Sequence, residues 1–366
     1  MLIRRWLCTR SSGGIPAGLL LIGSVAMAPA AHGQAPRTVV NGYGFVEQTV
    51  RMSPDGADQF FALGEHSLFV TSAFSERGSF LGEFAIRPSG SSPSGFVASV
   101  ERALVRWRLD DANTFVVGKV HTPVNYWNDA YHHGRIFFPT IDRPLSFSAL
   151  VPIHTLGVQL RGQNIGSRRF GYDVMAGNGI AASETSAVGA TPAVMAGVHF
   201  KPRMGMYVGA SIYYDHMEQN GHGSGSGHGA AAMSGDMYRG ELDFTLASMS
   251  LAFFGEDVEF LAELSGNATV TDSLGTAHNG SAFVYGGARV APRTVGYALV
   301  DWLHLDDEDL HLGAGHAARE AVGLRFDLGA AAVLKGQVER YKALHDHGGA
   351  HSEPSYGIRI QLAYTF

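Results

Sequence analysis

Apolar residues fall on alternate positions through most of the chain. The final segment, SYGIRIQLAYTF, displays the pattern most fully: Tyr356, Ile358, Ile360, Leu362, Tyr364 and Phe366 make one face, and Gly357, Arg359, Gln361, Ala363 and Thr365 make the other. Period-two alternation predicts β-strand. A strand that stays apolar on one side to its last residue suits a sheet dividing lipid from water. The same reading predicts about sixteen strands, near residues 38–52, 64–75, 79–87, 96–109, 114–121, 152–162, 168–176, 193–201, 204–215, 238–252, 257–267, 281–290, 294–303, 318–327, 331–342 and 355–366.

The links between these strands come in two kinds. Short ones (SERG, DDAN, QNIGSR, KPRM, FGED, VAPRT, DLGA) are expected to alternate strictly with long polar ones such as PSGSSPSG, HMEQNGHGSGSGHGAAAMSGD and HLDDEDLHLGAGH. That layout predicts an all-β, transmembrane antiparallel barrel, with short periplasmic turns on one rim and long extracellular loops on the other. In lipid the last strand must pair with the first, because an open edge would leave backbone groups unsatisfied.

Strand parity predicts which side chains face the lumen. In ERALVRWRL, Arg102, Arg106 and Arg108 share a face opposite Ala103, Val105, Trp107 and Leu109; three arginines in lipid would be costly, so they are assigned inward. The same rule places Glu241 and Asp243 inside, with Leu242, Phe244 and Leu246 outside, and turns Lys335 inward. Arg102, Arg106, Arg108, Lys119 and Arg161 then form a basic arc, with Arg325, Lys335 and Arg359 near the seam and Glu241, Asp243 and Glu263 opposite. Opposed walls of this kind would set a transverse field across a water-filled bore.

The connection at residues 122–150, TPVNYWNDAYHHGRIFFPTIDRPLSFSAL, differs from the other long links. It carries Tyr126, Trp127, Tyr131, Phe137, Phe138 and Phe147, a set that would expose a large apolar patch if left in solvent. It is therefore expected to fold into the barrel, bringing Asp129, His132, His133, Arg135, Asp142 and Arg143 to the narrowest point.

With strand pattern, inward third link and terminal Phe366 in place, the whole of residues 34–366 resembles the outer-membrane porins of Gram-negative bacteria. The resemblance implies passive diffusion of small hydrophilic solutes, a homotrimer in outer-membrane lipid, and a C-terminal strand read by the barrel-assembly machinery. The usual acidic cluster of the third loop is thin here, with Asp129 and Asp142 set among arginines and histidines, so a simple cation preference does not carry over. The alternative reading is a selective channel for anions or metal-bearing solutes.

Composition agrees. Residues 1–33 pair a basic start, MLIRRWLCTR, with a short apolar run and Ala31-His32-Gly33, a pattern expected of a secretory signal peptide. Cys8 is the only cysteine and lies within it, so thiol chemistry is excluded from the rest of the chain. A charged fraction of 16%, 47 glycines and a formal charge of −6 offer no nucleic-acid footprint. No cofactor is implied. Histidines cluster in the long links: His216, His222 and His228, then His304, His311 and His316, then His345, His347 and His351. Imidazoles with nearby carboxylates can bind zinc, nickel or copper, but these spacings match no closed site, and solvated loops are the simpler reading. His66, His154 and His199 with Ser67 form no recognisable catalytic set.

Overall fold

The computed structural model describes residues 37–54, 56–90, 92–132, 136, 138–180, 191–218, 240–272, 275–309, 312, 315–344 and 353–366. Sixteen strands make up most of it: β1 (Arg37–Ser53), β2 (Gly56–Ala73), β3 (Gly78–Pro88), β4 (Phe96–Arg108), β5 (Asn113–His121), β6 (His154–Ile165), β7 (Phe170–Gly177), β8 (Ala193–Phe200), β9 (Met206–Glu218), β10 (Glu241–Phe254), β11 (Val258–Thr271), β12 (Gly275–Ala291), β13 (Thr294–Leu305), β14 (Gly315–Asp327), β15 (Ala332–Leu344) and β16 (Ser355–Thr365). Each pairs antiparallel with its sequence neighbours, and β1 pairs with β16 to close the barrel. The seam runs from Tyr43↔Thr365 to Met52↔Tyr356, and Gly42 and Phe366 exchange backbone hydrogen bonds of 2.8 and 2.9 Å beyond it. Closure satisfies the edge groups that an open sheet would leave bare. Among the described residues no helix is long and apolar enough to cross a membrane.

The two faces of the wall differ in character. Outward residues are mostly apolar and exposed: Val105 and Trp107 on β4, Val284 on β12, Val338 on β15, Ile358 and Ile360 on β16. Aromatic side chains gather outside near the rim of short links, where Phe74, Trp107, Phe115, Phe200, Phe326 and Phe366 are all exposed. Inward residues are mostly buried, and many are polar, among them Glu83, Gln159, Asn267, Asn279, Lys335 and Gln361.

Three expectations are corrected. First, the parity of β10 is reversed. Leu242, Phe244 and Leu246 face inward and pack with Met175, Met195, Tyr213 and Met217 in one apolar cluster. Charge in lipid is costly only at hydrocarbon depth. Asp243 lies near the strand's end, where His216 and Tyr214 hold it at 2.8 and 2.6 Å, so the charge-based rule had no force there. Second, short and long links do not alternate strictly. The β1–β2 and β11–β12 links, residues 54–55 and 272–274, are only two and three residues long yet fall on the rim of long links. Third, β2 and β12 begin well before the alternation predicts. A bulge between Gly44 and Val46 flips the parity of β2 at Gly64–Glu65, which hides its first half from a period-two reading. The start of β12, GTAHNGSA, is small or polar on both faces and shows no contrast to read.

Candidate pore lumen and constriction segment

The connection between β5 and β6 is built to lie inside the barrel. It opens with Pro123-Val124, makes one π-helical turn (Trp127–Tyr131), and later a short helix, α1 (Leu145–Ala149). Its aromatics are the anchor. Trp127 and Phe138 are fully buried 5.4 Å apart, and Trp127 meets Phe283 of β12 edge-on at 5.3 Å. Phe147, Ile153, Tyr285, Tyr297 and Leu299 complete the cluster. Burying aromatics of this size gives the largest favourable term available to a connection without regular structure.

Polar contacts then fix it from nearly every side. Glu263 of β11 accepts the Trp127 amide at 2.8 Å, and Asp301 of β13 accepts that of Leu145 at 2.8 Å. Arg161 of β6 holds Asp129 at 2.6 Å while also bonding Asp173 at 2.6 Å. Arg319 of β14 bridges Asp301 at 2.8 Å and Asp142 at 3.2 Å, and donates to the Arg143 carbonyl at 2.6 Å. Lys335 of β15 donates to the carbonyls of Phe138 and Thr140 at 2.6 and 3.0 Å. Arg359 of β16 pairs with Asp142 and with Glu47 of β1. Partners on strands all around the wall require the segment to cross the lumen. Of its expected residues, Asp129, His132, Asp142 and Arg143 lie there; His133 and Arg135 fall outside the described residues.

The basic arc is largely compensated. Arg102 pairs with Glu83 at 2.8 Å, and Lys119 donates to the Val100 carbonyl at 2.7 Å. Arg108 sits at the short-link rim, bonded to the Glu76 carbonyl at 2.9 Å. Arg106 differs from the rest of this group in having neither an ion pair nor a side-chain hydrogen bond among the described residues. Beside these lies a network that the sequence reading passed over: Arg87 joins Glu65 to Glu101, the latter at 2.9 Å, with Ser99 bonding both Arg87 and Glu101. Its signal was present, since Glu83, Ala85 and Arg87 share one parity in EFAIR.

An opposed acidic wall is not found among the described residues. Glu263 spends its carboxylate on the crossing segment, Asp243 lies on the outward face, and Glu241 is exposed at the rim. Arg325 is held by Glu259 at 2.6 Å. The interior beside β13–β16 is filled, with Asp301, Lys335 and Gln361 fully buried, whereas the side chains of Arg161 and Asp129 keep 25% and 32% exposure.

Of the rim histidines, His304 and His316 are a cross-strand pair on the outward face, with rings stacked at 4.3 Å and Nδ1 atoms 2.5 Å apart. His222, His228, His311, His345, His347 and His351 fall outside the described residues. His66 bonds Tyr364 at 2.8 Å while Ser67 donates inward to Tyr43, so these neighbours face opposite sides of the wall.

No family model matches the chain, and no curated protein matches it in sequence. Solved structures do match in fold. An anion-selective porin from Comamonas acidovorans superposes with a TM-score of 0.65 at 11% identity, covering 91% of this chain and 100% of its own. The outer membrane channel DcaP of Acinetobacter baumannii gives 0.60 at 11% identity over 90% and 97%. OmpF of Salmonella typhi gives 0.59 at 9% identity over the same shares. The chain is a closed antiparallel barrel of sixteen strands with a porin-like fold.

Proposed function

We propose that the chain is a Gram-negative outer-membrane porin through which small hydrophilic solutes and ions diffuse passively. The observation that carries this reading is a closed wall, apolar outside and polar inside, whose bore is crossed by one connection pinned by ion pairs. The exposed aromatic band at the short-link rim is the kind of girdle that sits at a membrane interface. On this reading residues 1–33 are a signal peptide, the short links face the periplasm, and the C-terminal strand ending at Phe366 is the assembly signal. A homotrimer is the expected state, in keeping with the trimer form of OmpT from Vibrio cholerae among the similar structures.

The solute path runs along the β4–β8 side, because the β13–β16 side is packed. It passes Arg106 and Arg161, so a mild anion preference follows from the uncompensated guanidinium of Arg106; the Comamonas porin of the same fold is itself described as anion-selective.

Single-channel recording in a planar bilayer under a salt gradient tests this. Open steps with a reversal potential on the anion side are expected. A folded barrel that passes no current overturns the reading.

A further inference from the structure

Three histidines meet inside the barrel at a place no pattern in the sequence marks. His121 ends β5, His154 opens β6 directly across from it, and His132 follows the π-helical turn of the crossing segment. One ring nitrogen from each lies within 4.8 Å of those of the other two, and the rings are in close contact, His121 stacked on His132 at 4.0 Å and His132 edge-on to His154 at 4.6 Å. His132 is buried, and a carboxylate oxygen of the buried Glu101 lies 3.4 Å from Nε2 of His154.

The backbone prepares this cluster. β5 parts from β4 after the Ala103↔Lys119 pair, while it stays paired with β6 to the end. Just before the break stands Gly118, whose φ of +128° and closeness to the Ala103 carbonyl leave no room for a side chain. Beyond it the paired ends of β5 and β6 leave β4, and His154 reaches Glu101.

Asn128 then sets the chemistry of the third ring. Its side-chain amide donates to the carbonyl of Thr122, the residue after His121, at 2.7 Å, and to that of Ile153, the residue before His154, at 3.1 Å. Both donors being spent, its oxygen must face Nδ1 of His132 at 2.6 Å and accept a hydrogen bond from that N–H. That tautomer leaves the lone pair of His132 on Nε2. One asparagine thus ties together the backbones beside two histidines and orients the third, the arrangement by which outer groups prepare a metal ligand.

The geometry points to a site for a divalent transition ion, Zn²⁺ or Cu²⁺, held by His121, His132 and His154 with Glu101 or water as fourth ligand. Tetrahedral Zn–N bonds of about 2.0–2.1 Å need nitrogens roughly 3.4 Å apart, so the cluster would close by up to about 1.4 Å on binding. Arg102, Arg143 and Arg161 also act on His121 and disfavour a weakly bound cation, so the site suits ions with high affinity for neutral imidazole and not Mg²⁺ or Ca²⁺. Bound metal would staple the crossing segment to the wall.

The test is binding of Cu²⁺ and Zn²⁺ to the purified, chelator-treated barrel, by titration calorimetry and by the electron paramagnetic resonance of the first Cu²⁺ equivalent. One tight equivalent with three-nitrogen hyperfine structure is expected. His132→Gln should weaken it at least a hundredfold and Asn128→Ala about tenfold to a hundredfold, while His304→Asn leaves it intact. The heat-modifiable gel mobility of each variant verifies folding, and Asn128→Ala retains all three imidazoles should His132→Gln fail to fold. Tight binding unchanged in both variants, or no tight equivalent in the parent barrel, overturns the site. Neither readout depends on current, so this inference and the porin reading fail separately.

Discussion

At the scale of single residues, Arg106 is the side chain whose charge has most to say about permeation. Its neighbours on β3 to β6 are matched by Glu83, Glu101, Asp129 and Asp173, which leaves its own field uncancelled. Arg106→Glu should move the reversal potential toward cations, with a change of roughly sevenfold in the cation-to-anion permeability ratio for each kT of local potential. Arg102→Glu, which breaks a pair, should instead disturb folding, visible as lost heat-resistance on gels. Asp306, in the link after β13, accepts the amides of His278 at 2.9 Å and Glu308 at 3.1 Å, and these bonds hold its carboxyl below the usual aspartate range. A depressed value means that its contribution to order is complete above the unfolded pKa of about 3.9 and is lost as pH falls through the lower folded value. Amide exchange at His278 and Glu308, corrected for intrinsic rates, should therefore be flat down to about pH 4 and then rise; Asp306→Asn should remove the step.

At the scale of elements, the crossing segment depends on its aromatic anchor more than on any one ion pair. Trp127→Ala removes a fully buried indole from between Phe138 and Phe283, a loss of about 3–5 kcal/mol in docking. The expected result is a larger and noisier single-channel conductance from a barrel that still assembles. Unchanged conductance would mean that the segment does not limit flow. That this connection was exceptional could be seen in its aromatic content. Strands whose faces contrasted, such as β4 and β16, were legible to within a residue or two. Where contrast vanishes, as in GTAHNGSA, or parity flips at the β2 bulge, the first part of the strand does not show in the alternation. The reversed face of β10 teaches a narrower lesson: alternation identifies two faces but does not label them, and charges near a rim are poor labels. The histidine cluster was illegible for a different reason. Its three members come from two strand ends and a turn, brought together by backbone hydrogen bonds that no local spacing records.

At the scale of the whole molecule, the barrel's interior is held together by pairs remote in sequence. Asp142 meets Arg359 across 217 positions, and the Phe138 carbonyl meets Lys335 across 197. A wall of neighbouring hairpins can zip from local contacts, but these ties exist only when the last two strands arrive. The crossing segment and these two strands therefore hold each other in place as the barrel closes. Contacts of such long range are slow to form, and they make the insertion of the segment and the sealing of the seam a single kinetic event. Cutting the ties with Arg359→Ala should therefore uncouple the two steps, letting the seam close earlier while the segment settles late.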